Sequence, residues 1–269
     1  MAQLEARRIS DVARVLDEAE SAARRGNYVA GYVAYDAAPA FDAAFCLPET
    51  SCARTLSLPL AWFGVFGEAI WVPPLRAADP ASRDDSTDEW RCEIDAGSHE
   101  AAIAAIRAVI AEGGAYLVNY TTRLSRAWSD GDDLFELYRH LVASHGPGYH
   151  AFVETDEWAV ACGSPELFFE QAGDTLVTRP MKGTAPRGRW VEEDIDRGTQ
   201  LGASPKERAE NVMVVDLLRN DLGRLAVPGS VAVPSLWQVR RHPALWQLTS
   251  TVTARTARRV GLADIFGAL

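Results

Sequence analysis

From residue 164 the chain reads Ser164-Pro165-Glu166-Leu167-Phe168. It continues through Arg179-Pro180-Met181-Lys182-Gly183-Thr184. It then reaches Pro205-Lys206-Glu207-Arg208-Ala209-Glu210-Asn211-Val212-Met213-Val214-Val215-Asp216-Leu217-Leu218-Arg219-Asn220-Asp221. Short strand patterns, a Pro-to-Thr turn over 180–184 and a long helix with proline at its first position follow one another. A candidate nucleophile, a candidate proton donor and candidate metal carboxylates therefore fall within one short segment. Outward from it, residues 150–154, 158–162, 167–171 and 175–178 read as closely spaced strands. Ala172-Gly173-Asp174 is a hairpin turn between the last two. Residues 204–225 read as a helix and 230–239 as a strand.

Upstream, 10–25 reads as a helix capped by Ser10 and ended by Gly26. Residues 28–35 (YVAGYVAY) alternate like a strand, and 60–72 suggest two strands around Gly67-Glu68. Residues 98–112 place Ile103, Ile106, Val109 and Ile110 on one helical stripe. Residues 116–124 read as a strand and 130–144 as a further helix. The stretch 76–91 is rich in Asp, Ser, Ala and Pro and is expected to be an exposed loop. Runs of adjacent strands punctuated by helices favour an α+β, mixed antiparallel architecture over a doubly wound parallel sheet.

The chain has 269 residues, 48% hydrophobic and 24% charged, with a net charge of −10. That balance suits a globular protein and argues against a nucleic-acid or anionic-membrane surface, which needs a basic face. It leaves room for a small anionic substrate in a locally positive site. No apolar run is long enough to span a membrane, the N-terminus lacks a signal-peptide core, and the expectation is a cytoplasmic protein. Cys46, Cys52, Cys92 and Cys162 form no CxxC pair and are expected as reduced, inert thiols, although Cys46 and Cys52 are close enough in sequence to bridge. The five histidines show no zinc-like spacing.

Each candidate admits two readings on local sequence. Lys182 is either a solvated turn lysine or, beside the permissive Gly183, an amine that reaches a ligand. As a nucleophile it would need desolvation or a cationic neighbour, for which Arg179 and Arg187 are at hand. Glu166, next to Leu167-Phe168-Phe169, is either a water-facing glutamate or a general acid with a raised pKa. Glu207 and Glu210 share a helix face that suits either solvent or a hard cation such as Mg²⁺. Glu207 also completes a capping-box pattern with Ser204, which leaves Glu210 the preferred ligand. Asp216, Arg219, Asn220 and Asp221 read as structural.

Taken in order, these motifs resemble the chorismate-utilising enzymes, a family that includes anthranilate synthase component I, aminodeoxychorismate synthase component I and the isochorismate and salicylate synthases. The resemblance extends through Gly31-Tyr32-Val33-Ala34-Tyr35, the segment beginning Pro59-Leu60-Ala61-Trp62, residues 116–124 and Gln247-Leu248-Thr249-Ser250. It implies one chorismate-binding domain over 1–269, a large mixed, mainly antiparallel sheet sandwich with outer helices. Lysine at 182 is what the aminodeoxychorismate branch places before Gly-Thr, where anthranilate synthases place alanine. Leu117 stands where the isochorismate and salicylate branch has a water-activating lysine.

The resemblance implies amination of chorismate to 4-amino-4-deoxychorismate on the route to para-aminobenzoate and folate. Lys182 would be the nucleophile and Glu166 the acid. Gly183 and Thr184 would contact substrate, and Glu210 with Glu207 would hold Mg²⁺. A glutamine amidotransferase would supply ammonia. Two departures qualify the expectation. Many members have histidine where this chain has Gln247. Members also continue past the position of Leu269, so the chain is expected to lack the C-terminal part of the fold, with impaired activity. A non-catalytic remnant that keeps the fold is the alternative from another class, and anthranilate synthase component I is the enzymatic one.

Overall fold

A computed structural model describes residues 2–46, 58–73, 75, 90–128, 133–257 and 260–269. The elements run β1 (Ala2–Ala6), α1 (Val12–Arg24), β2 (Tyr28–Val33), β3 (Ala61–Phe66), β4 (Arg91–Cys92), α2 (Ala96–Ala111), β5 (Leu124–Ser125), α3 (Leu134–His145) and β6 (Tyr149–Glu154). They continue with β7 (Ala159–Ser164), β8 (Leu167–Ala172), β9 (Thr175–Arg179), β10 (Met181–Pro186), α4 (Val191–Ala203), α5 (Pro205–Gly223), β11 (Ala232–Arg241), β12 (Leu245–Arg255) and α6 (Leu262–Ala268). Every strand pairing described is antiparallel, and the α+β, mainly antiparallel expectation holds.

The N-terminal sheet has the order β1-β3-β2. Helix α1 covers it with Val12, Val15, Leu16, Ala19 and Ala22, all buried at helical spacing. Its C-terminus releases into Gly26 at φ +89°, a conformation that suits glycine. Ser10 does not cap it; Ile9–Asp11 form a 3₁₀ turn that feeds the helix.

The main sheet is built around β12. One flank of β12 carries β11; the other carries β9 against residues 252–255 and β10 against residues 245–249. β9 and β10 are therefore two halves of one long strand. The break falls at Pro180, which has no N–H for the ladder, although its carbonyl still accepts from Ser250 N at 3.1 Å. Immediately after it the β10–β12 register slips between Met181 and Thr184. Lys182 thus sits in a bulged strand, not in the turn that the Pro-to-Thr pattern suggests. A bulge re-aims side chains out of the regular alternation.

Helix α5 lies across β10 and β12. Ser204 caps it by accepting from Glu207 N at 3.4 Å, and Pro205 occupies its first turn. Val215 and Leu222 bury against Leu176, Val252 and Ala254 of the sheet. Helix α6 faces two ways: Ile265 enters this core while Leu262, Ala263 and Phe266 pack on the N-terminal cluster. Phe266 stacks on Phe41 at 5.5 Å and meets Phe169 edge-on at 5.8 Å.

Two expected strands do not form. Residues 116–123 form no strand, because among the described residues no neighbour runs alongside to complete a ladder; Leu124–Ser125 alone pair, with Arg91–Cys92. Residues 68–72 likewise find no partner, and Ile70, Trp71 and Val72 stand exposed. α4 and β12 were not anticipated. Residues 76–89 of the expected loop, and Cys52, lie outside the described residues; Cys46, Cys92 and Cys162 are free thiols. No helix among the described residues is long and apolar enough to cross a membrane.

Candidate active site

Between α5 and the segment 116–119 lies a cleft of about 330 Å³. Met213, Val214 and Leu217 of α5 form one wall, Tyr116, Leu117 and Asn119 the other, and Glu166, Met181 and Lys182 line it from the sheet. A larger hollow of about 620 Å³ lies between β1 and α1 and contains no residue of the 164–221 segment.

Lys182 reaches the cleft because the β10 bulge turns it there. Gly183 makes the bulge possible at φ +93°. A Cβ added at Gly183 would stand 3.1 Å from both Cβ and Oε2 of Glu207 and 3.2 Å from Leu248 Cβ. Both the backbone angle and the approach of α5 therefore demand glycine. The half-buried Lys182 donates from Nζ to Asn119 Oδ1.

The Lys182 backbone is held from beneath by Asn211, which is 0% exposed. Asn211 Nδ2 donates to Lys182 O at 3.4 Å and to Leu248 O at 3.2 Å. Its Oδ1 accepts from Ser250 Oγ at 2.5 Å. One amide thus joins α5, β10 and β12 (a role missed because Asn211 lies mid-helix, where asparagine carries no pattern of its own). Ser250 Oγ in turn accepts from Trp237 N at 3.1 Å, where Trp237 takes φ +57° at a β11 bulge.

Glu166 is fixed by its own loop: Glu166 N donates to Ser164 Oγ at 3.2 Å. Glu166 Oε1 accepts from Met181 N at 3.3 Å, which seats the carboxyl beside the root of Lys182. The side chain keeps an open flank to solvent, yet the protein packed around the carboxyl desolvates it and pushes its pKa up. The Met181 N–H and the Lys182 charge pull the other way without overcoming burial.

Glu207 and Glu210 project from the same side of α5, both half-buried. Lys206 Nζ lies 3.4 Å from Glu207 Oε1 and 3.5 Å from Glu210 Oε1, so the pair already presents its oxygens to one cation. Glu210 precedes Met213, Val214 and Leu217 by three, four and seven residues. It therefore continues the helix face that lines the cleft, one turn further out. Neither carboxylate lines the cleft itself. Two carboxylates suit Mg²⁺, which takes few protein oxygens and keeps waters. Among the described residues no group of three or more His, Cys, Asp and Glu converges.

Thr184 is exposed and pairs across the ladder with Gln247. Gln247 Oε1 and His242 Nε2 are buried and have no hydrogen-bond partner among the described residues; burial, then Arg240, lower the His242 pKa. The cations considered as neighbours of Lys182 are engaged elsewhere. Arg179 Nη1 donates to Tyr149 Oη at 2.9 Å. Arg187 grips Asp194 with Nε at 2.7 Å and Nη2 at 2.6 Å, and donates from Nη1 to His242 O at 2.6 Å. Gly188 N and Trp246 Nε1 complete the Asp194 cage at 2.9 Å each. The Arg187 hydrogen bonds chiefly, and then the Gly188 and Trp246 donors, hold Asp194 far below the usual carboxylate range against the effect of burial. This clamp fastens α4 to β10 and β12. Of the structural set on α5, Arg219 pairs with Asp216 at 2.9 Å, and Asp221 is buried with its pKa raised by desolvation.

Aminodeoxychorismate synthase component 1 of Klebsiella aerogenes is 40% identical over 182 residues, 68% of this chain and 40% of that protein. Anthranilate synthase component 1 of Streptomyces coelicolor is 40% identical over 185 residues, 68% of this chain and 35% of that protein. The chain thus spans about 40% or less of the length of these relatives. The crystal structure of anthranilate synthase component I from Streptococcus pneumoniae shares the fold with a TM-score of 0.66 at 21% identity, covering 90% of this chain and 60% of that one. The family model for chorismate binding enzyme matches residues 2–269, and the chain belongs to that family.

Proposed function

We propose that this chain carries the centre that aminates chorismate to 4-amino-4-deoxychorismate, in the cytoplasm and on the route to para-aminobenzoate. The observation that carries the reading is that the Lys182 amine and the Glu166 carboxyl line one cleft, where burial pushes the Glu166 pKa up. The Lys182 amine attacks ring carbon 2 and forms a C–N bond. Both ring double bonds shift, and the carbon 4 hydroxyl leaves as water with the proton of Glu166. Ammonia then bonds to carbon 4, both double bonds return, and the bond to Lys182 breaks. Gly183 and Thr184, next along the β10 bulge, would contact substrate beside Lys182. Asn211 and the β10 bulge hold Lys182 in register, which is a positioning role.

Glu210 with Glu207 would hold Mg²⁺. When bound, the ion would neutralise substrate carboxylate charge and orient the ring. The ammonia source is a glutamine amidotransferase partner, in keeping with the component 1 names of the relatives.

Product analysis with chorismate, Mg²⁺ and ammonium salts tests the reading. A non-fluorescent amino product that disappears in Lys182→Ala supports it. Fluorescent anthranilate would favour the second reading, anthranilate synthesis, to which the Streptomyces relative at 40% identity lends weight.

A further inference from the structure

We propose that Asn119 is a positioning residue that keeps the Lys182 amine apart from the Glu166 carboxyl, so that a nucleophile and an acid coexist in one cleft. The proposal rests on the roles given to Lys182 and Glu166 above. It starts from a chemical conflict. An amine and a carboxyl in direct contact share their proton and settle as ammonium and carboxylate. The amine then has no lone pair and the acid no proton, and both roles are lost.

The geometry keeps the two groups on separate partners. Lys182 Nζ donates to Asn119 Oδ1, while Glu166 Oε1 is occupied by Met181 N–H. No ion pair joins Lys182 to Glu166 among the described residues, although both line the cleft. The nature of the acceptor matters. An amide oxygen takes a hydrogen bond but cannot take the proton, whereas an aspartate in its place would fix the ammonium. An apolar residue there would leave the amine free to turn to the Glu166 carboxyl across the same cleft. Asn119 lies 63 residues before Lys182, on the wall opposite α5, so this separation is set by tertiary structure.

The composition makes the test clean. The chain has two lysines, Lys182 and Lys206, among 27 basic residues. Limited acylation of the folded protein at neutral pH, read by peptide mass spectrometry, therefore reports Lys182 with Lys206 as internal reference. Asn119→Ala should lower Lys182 labelling relative to Lys206 by about tenfold, the scale of one charge-assisted contact. Adding Glu166→Gln should restore the wild-type level. Asn119→Asp, which keeps the shape of the side chain, should also lower labelling, and Glu166→Gln should not restore it. Unchanged or increased labelling in Asn119→Ala, or failure of Glu166→Gln to rescue it, overturns the proposal. Protection of wild-type Lys182 by chorismate reports separately on the proposed function. Absent protection with the Asn119 pattern intact would sink that function and leave the positioning role standing.

Discussion

Replacing Asn211 with alanine removes the amide that joins three elements beneath Lys182. The wild-type side chain is fully buried and makes three hydrogen bonds, to Lys182 O, Leu248 O and from Ser250 Oγ. Each such bond contributes about 1 kcal/mol net, and stranding buried partners raises the cost, so Asn211→Ala should lose roughly 3 kcal/mol. Urea unfolding of wild type, Asn211→Ala, Ser250→Ala and the double variant measures this. Ser250→Ala alone should lose about 2 kcal/mol, since its hydroxyl also accepts from Trp237 N, and the double variant less than the sum, because the two share one bond. Chorismate turnover should fall with Asn211→Ala even at temperatures where the variant stays folded, since Lys182 loses its anchor. A loss below about 1 kcal/mol in Asn211→Ala, or strict additivity with Ser250→Ala, would refute the view that this amide holds the site together.

Gly183→Ala should destabilise the protein by roughly 1–3 kcal/mol through its positive φ and the crowding against Glu207 and Leu248, and should abolish turnover; thermal melts and product assays check both. Asp194→Asn should lower the denaturation midpoint at neutral pH. Asp194 has a depressed folded pKa, so its stabilisation is complete above the unfolded value of 3.8 and is lost as pH falls towards the folded value. The difference between wild type and Asp194→Asn should therefore shrink below pH 3.8, and a difference that stays constant into acid would contradict the clamp.

How legible the molecule was in its sequence depended on where its constraints came from. Local signals were sound: α1, the β8–β9 hairpin and the Ser204-capped α5 follow from period, turn residues and caps. Features set by partners were not. Residues 116–123 carry a strand-like pattern yet form no ladder among the described residues beyond Arg123 O accepting from Glu93 N at 3.0 Å, and a strand exists only beside another. The Pro180–Thr184 stretch looked like a turn because proline and glycine punctuate it, but β12 supplies a ladder that turns it into a bulged strand. Glu166 and Lys182 were found as motif residues. Asn119, Asn211 and the Asp194 cage were missed because single polar residues within a strand or helix pattern announce nothing until the chain is folded. Arg187 was read as a field acting on Lys182, and the structure gives it to Asp194 instead.

The most direct measurement of the central claim is the mass of the intact protein, and of its Lys182 peptide, after incubation with chorismate and Mg²⁺ without ammonia. A shared cleft that joins the residue 182 amine to the residue 166 acid should yield a covalent adduct equal to chorismate less water. That adduct should sit on Lys182, be slowed in Glu166→Gln and disperse when ammonia is added. Product formed at the wild-type rate by Lys182→Ala, or an adduct carried by any residue other than Lys182, would contradict it.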